Sequence, residues 1–255
     1  MAIEVRTKRA AFRALHQEGC FVLPNPWDIG SIRRLEKLGF KALASTSAGA
    51  AWVMGRNDGE LSRDEVLAHL CLLCAATDLP VNADFEAGFA DEPEVVAENV
   101  ELAMDTGLAG LSIEDRTGRS LYEFRLAVDR IKAARQTIVN SGYDVVLVAR
   151  SEGFLIGETD LGATIDRLVA YAEAGADCLY APGIKDISAM ATLVSAVAPK
   201  PVNALLLGPD MSVSSLAQVG VRRVSTGGGL AAAAWSGFDR AVRLLVEQGT
   251  VPKRE

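Results

Sequence analysis

The chain has 255 residues, of which 49% are hydrophobic and 23% charged, with a formal net charge of −7. That balance describes a globular protein with a sizeable core and argues against long disordered stretches. An acidic chain with 6% aromatic residues and no dense Lys/Arg cluster excludes nucleic acid as a partner. No apolar run is long enough for a membrane span or a signal core, so a cytoplasmic protein is expected.

In chain order, a leading helical pattern at 7–17 precedes the first of eight short apolar runs that read as buried parallel strands. The runs fall at 21–23, 42–46, 81–85, 110–114, 145–150, 178–181, 202–206 and 223–226. Helical patterns separate them at 28–38, 62–77, 94–105, 121–140, 159–173 and 187–197. Gly39, Gly107, Gly175 and Gly220 each stand where a helix needs a left-handed C-terminal residue. Ser62 and Glu65 have capping-box spacing, and Pro93 opens another helix. Eight strand–helix units without a linker predict an α/β fold, a single (β/α)8 TIM-type barrel over residues 1–255 with a leading N-terminal helix. An open doubly wound sheet is the rival, but the first strand runs into Pro24-Asn25-Pro26-Trp27 rather than a glycine fingerprint.

Of the four cysteines, Cys71 and Cys74 form a lone C-x-x-C. With Leu67 and Leu70 they fall on one helical stripe, which predicts a buried apolar face rather than redox or zinc chemistry.

A barrel of this kind carries its chemistry where the strands end. Asp58, Asp84, Glu86, Glu114 and Asp115 all leave strands or their loops on that rim. Converging carboxylates repel unless a cation or shared protons offset them. Oxygen-only donors select a hard ion, Mg²⁺ or Mn²⁺. The plainer reading makes each carboxylate a helix cap or an arginine partner. His16 and His69 fall in helices, so the usual general base is missing from the rim. Arg150 closes an apolar strand and reads either as a clamp on a substrate carboxylate or as a salt bridge to Glu114 or Glu152, with the clamp favoured. Gly227-Gly228-Gly229 reads as a tight turn or as a phosphate cup.

These same segments resemble the isocitrate lyase/phosphoenolpyruvate mutase superfamily over nearly the whole chain. The resemblance is carried by Leu23-Pro-Asn-Pro-Trp-Asp28, Ser45-Thr46-Ser47 with Gly55 to Asp58, Ala83-Asp84 with Gly88, Ser112-Ile-Glu-Asp115, Val148-Ala-Arg150 and Tyr171-Ala-Glu-Ala-Gly-Ala-Asp177. It implies a Mg²⁺-dependent barrel acting on 2-oxo acids or phosphonates, assembled as a homodimer or homotetramer with last helices often exchanged. It also implies that Asp58, Asp84 and Glu114 surround the metal, while the backbone at Thr46, Ser47 and Ala48, with Arg150, cradles the substrate carboxylate. Two departures stand out. Asn82 is read at the position of the family's first strand-3 aspartate, which either weakens the metal site or is compensated by Glu86 just beyond Asp84. The loop Arg116-Thr-Gly-Arg-Ser-Leu-Tyr122 lacks the cysteine and histidine of the isocitrate-type lyases. The reading that follows is a C–C lyase beside a 2-oxo-carboxylate, such as an oxaloacetate decarboxylase, with solvent or Tyr122 returning the proton. Phosphonomutase or phosphonopyruvate hydrolase chemistry, with Arg116 or Arg119 receiving a phosphoryl group, and a non-catalytic metabolite-binding barrel are the alternatives.

Overall fold

The structure, a computed structural model, describes residues 2–253. Helix α1 (Ala2–Leu15) leads into β1 (Phe21–Leu23), α2 (Ile29–Lys37), β2 (Leu43–Ala44), α3 (Ser47–Val53) and α4 (Arg63–Ala75). Next come β3 (Val81–Asp84), α5 (Pro93–Asp105) and β4 (Gly110–Glu114), then a small hairpin of β5 (Arg116–Thr117) and β6 (Ser120–Leu121). The chain continues through α6 (Phe124–Ser141), β7 (Val146–Arg150), α7 (Gly153–Ile156), α8 (Leu161–Glu173), β8 (Cys178–Tyr180) and α9 (Ile187–Val197). Strand β9 (Val202–Leu205), α10 (Val213–Gln218), β10 (Arg223–Ser225) and α11 (Gly229–Gln248) follow. All eight apolar runs form strands, most of them a residue or two shorter than the sequence pattern.

The eight strands pair in parallel in the order β1, β10, β9, β8, β7, β4, β3, β2. The two ends of that order meet, because the Ala44 N–H donates to the Pro24 carbonyl at 3.0 Å. Asn25 reinforces the seam. Its Nδ2 donates to the Ser45 carbonyl at 2.7 Å, and its Oδ1 accepts from the Thr226 and Gly227 N–H groups at 2.9 Å each. One side chain from the Pro-Asn-Pro segment therefore ties the ends of β1, β2 and β10, and the expected (β/α)8 barrel is formed.

Alternation along the strands explains the two cores. Ala83, Leu111, Ile113, Leu147, Ala149 and Leu179 face outward and pack under the helices in the largest apolar cluster. Leu23, Ala44, Val146, Val148 and Cys178 face inward with Phe12 of α1. The Phe12 ring meets His16 edge-on at 4.8 Å, and His16 meets Phe21 in the same way at 5.1 Å. Helix α1 thus seals the N-terminal end and leaves the opposite rim open.

The helix signals hold. Ser62 and Glu65 form the reciprocal capping box, Pro93 stands at the start of α5, and the four C-terminal glycines all take positive φ. The stripe on α4 is corrected. Cys71 is exposed, and the core face is Val66, Leu70, Leu73 and Cys74. Both sets satisfy helical spacing, and packing against β3 and α5 selects the second. The helix expected from residue 121 begins at Phe124, because the β5–β6 hairpin occupies the preceding segment.

Candidate active site

Parallel pairing sets the rim residues side by side: Asp84 with Ser112, Glu114 with Arg150, and Arg150 with Tyr180. Asp84, Ser112, Arg150 and Tyr180, but neither Glu114 nor Glu86, border a cavity of about 120 Å³ at the C-terminal ends of the strands, to which Thr46, Ser47, Ala48, Asp58, Asp84 and Arg150 all contribute. Of the expected site residues, these six share one space. A cavity this small suits a metabolite of a few carbons rather than a nucleotide.

Asp84 is held on three sides. Its N–H donates to Ser45 Oγ at 2.8 Å, its Oδ2 accepts from the Ser47 N–H and hydroxyl at 3.0 and 3.1 Å, and its Oδ1 lies 3.2 Å from Arg150 Nη1. The same Nη1 lies 3.4 Å from Glu114 Oε2, and Arg150 Nε donates to Glu152. Burial alone would depress the guanidinium, but Glu114, Glu152 and Asp84 outweigh it and hold its pKa well above the usual value. Arg150 is therefore an ion-pair hub, the arrangement set against the clamp in the sequence. Its charge still faces the cavity.

One arginine does not balance this cluster. Burial, with Asp84 and Asp58 nearby, pushes Glu86 up to about 7, and one of its buried oxygens, Oε1, has no hydrogen-bond partner. Burial, reinforced by Glu152, Asp84 and Glu86 against Arg150, pushes Glu114 up to about 8. Glu86 also takes φ +45° and Phe89 φ +59°, so the loop after β3 is held in a backbone conformation that side chains disfavour. Arg130 braces it by donating to the Ala87 and Ala90 carbonyls. An orphaned buried carboxylate oxygen among anionic neighbours fits a hard divalent ion. Among the described residues no three carboxylates converge tightly enough to cage one, so an ion would keep water or substrate oxygens as ligands, as Mg²⁺ does.

Other expected residues lie elsewhere. Asp115 points away from the cavity and is 3% exposed, accepting from Ser151 Oγ, the Glu152 N–H and Tyr171 Oη at 3.0, 2.9 and 2.7 Å. It braces the segment that carries Glu152. Tyr122 does not line the cavity. Its hydroxyl donates to Asp91, and its ring lies 3.9 Å from the Arg130 guanidinium carbon. Asn82 is an interior residue two positions below Asp84, so the acidic pair at the end of β3 is Asp84 and Glu86. Gly228 lines the cavity, where a Cβ would come within 3.2 Å of the Trp52 ring. The Gly227 N–H is already taken by Asn25. His69 bonds to the Trp27 carbonyl at 2.9 Å, and neither histidine lines the cavity. Sequence reading missed Tyr180, Asn203 and Arg223, which line the cavity from strand interiors. Their signal was available in polar residues at inward positions of otherwise apolar strands.

A parallel barrel with carboxylates, an arginine and a hydroxyl-rich turn at the strand ends defines a small-molecule enzyme of the lyase and mutase kind. The phosphoenolpyruvate phosphomutase family model matches residues 12–246, and the chain belongs to the isocitrate lyase/phosphoenolpyruvate mutase superfamily. Two solved structures from Burkholderia cenocepacia J2315 are close in shape. One, provisionally a lyase/mutase, is 46% identical with a TM-score of 0.94, covering 98% of this chain and 91% of its own. The other, provisionally a phosphonomutase, is 35% identical with a TM-score of 0.88, covering 93% and 99%. The oxaloacetate decarboxylase of Pseudomonas aeruginosa is 30% identical over 191 residues, 71% of this chain and 64% of that enzyme.

Proposed function

We propose that this protein is a divalent-metal-dependent lyase acting on a C–C bond beside a 2-oxo-carboxylate, in the class of oxaloacetate decarboxylase. The observation that carries the reading is the set of Asp58, Asp84, Arg150 and the Thr46–Ala48 turn around one small cavity, with Glu86 and Glu114, both pushed up by burial, close to Asp84 but outside its lining. Carboxylates from among Asp84, Glu86 and Glu114, with Asp58 of the α3–α4 loop, would supply part of the shell of Mg²⁺ or Mn²⁺ and water or substrate oxygens the rest; the ion would supply electrophilic stabilisation of charge developing on the 2-oxo group. Arg150 orients the substrate carboxylate through its planar fork. Ser47 fixes Asp84 and fills the wall beside it. Tyr180 replaces Tyr122 as the phenol able to return a proton to carbon. Burial raises its pKa, so it stays protonated, and its ring lies 5.4 Å from the Arg150 guanidinium carbon.

The deciding experiment incubates the protein with oxaloacetate, phosphonopyruvate, phosphoenolpyruvate and substituted malates, with Mg²⁺ and with excess chelator. Metal-dependent C–C cleavage is expected, and turnover undiminished in chelator would rule out the metal role. The family-model match and the phosphonomutase-named structure favour P–C chemistry as a second reading, which phosphate release from phosphonopyruvate would single out. Ligand-induced stabilisation without turnover would single out a metabolite-binding barrel. A homodimer or homotetramer is proposed from the apolar face of α11. No helix among the described residues is long and apolar enough to cross a membrane.

A further inference from the structure

At the floor of the cavity, Arg223 opens β10 and is 2% exposed. Its Nε donates to Asn203 Oδ1 at 2.8 Å, and its Nη1 reaches Asn82 Oδ1 at 3.4 Å. Both acceptors are neutral amides. Gly110 makes the room, because a Cβ there would lie 2.8 Å from Asn82 Oδ1 and 2.7 Å from the Phe12 ring. Below this layer α1 closes the barrel, so the guanidinium can meet a ligand only from the cavity above.

The titratable neighbours supply no negative charge. Burial, helped by Arg223 itself, holds His16 down to about 3, and burial raises both Cys178 and Tyr180. All three are neutral at pH 7. Arg130 offers a contrast within the same molecule. It is as deeply buried and its Nε has no partner, but its other two nitrogens donate to the carbonyls of Ala87, Ala90 and Glu114, and it lies outside the cavity. Arg223 has only two amide oxygens and lines the cavity wall. A buried charge without a partner is costly, and bulky branched aliphatic residues usually fill such a floor.

We infer that Arg223 is a specificity-determining residue, binding the far carboxylate of a diacid substrate whose 2-oxo or 2-hydroxy end sits at the rim with Arg150. The inference rests on the proposed 2-oxo-acid reading of this site. Arg223 and Ser225 both line the cavity two residues apart on β10, a rise of about 6.6 Å along its wall. A guanidinium contact stabilises the charged carboxylate and is lost when that group leaves as neutral carbon dioxide, so a carboxylate bound here is one the reaction retains, unlike the far carboxylate that an oxaloacetate-type decarboxylation removes. The substrate class is then longer or branched 2-oxo or 2-hydroxy diacids whose far carboxylate survives the C–C cleavage.

Calorimetry with Mg²⁺ on the full chain tests this with 2-oxoglutarate, its monoacid counterpart 2-oxopentanoate, and glutarate. The wild type is expected to favour 2-oxoglutarate over 2-oxopentanoate by a factor of roughly 10–100, the scale of a charge-assisted contact. Arg223→Gln should erase that preference without weakening 2-oxopentanoate, and Arg223→Lys should restore part of it. Because the substitution removes an unpaired buried charge, Arg223→Gln should melt no lower than the wild type. A merely structural arginine would instead lower the melting temperature and leave the diacid preference unchanged, which overturns the proposal. Should the wild type bind neither 2-oxo acid, the 2-oxo-acid reading fails by itself. Glutarate then decides the floor: binding lost in Arg223→Gln supports the subsite, and binding unchanged or absent overturns it.

Discussion

Arg150 Nη1 lies 3.2 Å from Asp84 Oδ1, and that contact joins the end of β7 to the end of β3 across the site. The guanidinium reaches Glu152 as well, a carboxylate whose side chain is 1% exposed. The ion pairs are present, and the proposed clamp on substrate would be a second task of the same residue. Arg150→Lys keeps the charge and loses the fork. Activity is expected to fall by roughly 10–100-fold in kcat/KM, and the melting temperature by several degrees, at about 2–4 °C per kcal/mol for a domain of this size. Kinetics and thermal melting on the same variant check both. Loss of stability with intact kcat/KM would leave Arg150 only structural.

The raised carboxyls give a pH signature. Glu86 at about 7 and Glu114 at about 8 lie above the unfolded value of about 4.3. The folded state therefore binds protons that the unfolded state has released. In chelator, stability from these groups is present below the unfolded value and is lost as pH rises through 7 and 8. Mg²⁺ must displace those protons, so its affinity should rise over the same window with proton release. Melting curves at acid and alkaline pH, with and without Mg²⁺, measure it. Mg²⁺ stabilisation that is equal at both ends would contradict the assignment of Glu86 and Glu114 to the ion.

The barrel was legible because its signals are local. Val145 to Ala149 is a continuous apolar run, as a doubly covered strand requires, and glycines such as Gly175, at φ +104°, mark where helices stop. The rim was legible for Asp84 and Glu114, since strand ends place them. Asp115 follows Glu114 by one residue, and alternation turns it to the opposite side, into the Ser151 and Tyr171 network. Tyr122 was misplaced because the β5–β6 hairpin, only four paired residues, redirects the chain before α6. Tyr180 and Arg223 were read only as members of strand runs, though their inward register sets them in the cavity.

The two tyrosines separate chemistry from support. Tyr180→Phe should lower kcat with little change in KM or melting temperature, since the hydroxyl is the proposed proton source. Tyr122→Phe should leave kcat near wild type and cost about 1 kcal/mol of stability for the bond to Asp91. A solvent isotope effect on kcat that persists undiminished in Tyr180→Phe would assign the proton to water.

Helix α11 is the part of the chain least explained by the barrel. Of its 20 residues only Ala231 is buried, while Trp235, Phe238, Leu245 and Val246 are 40%, 58%, 51% and 80% exposed. With Val242 they follow one stripe of the helix, and the Trp235 and Phe238 rings meet edge-on at 5.9 Å. An apolar stripe of this extent marks an interaction surface. A second copy of the chain presents the same stripe, as a two-fold interface requires. Light scattering after size exclusion should give two or four times the chain mass. Trp235→Glu with Phe238→Glu should shift it to the single chain, and because both side chains are exposed, the barrel's circular dichroism should persist. Wild type running as a single chain at micromolar concentration would remove self-association as the cover for this helix.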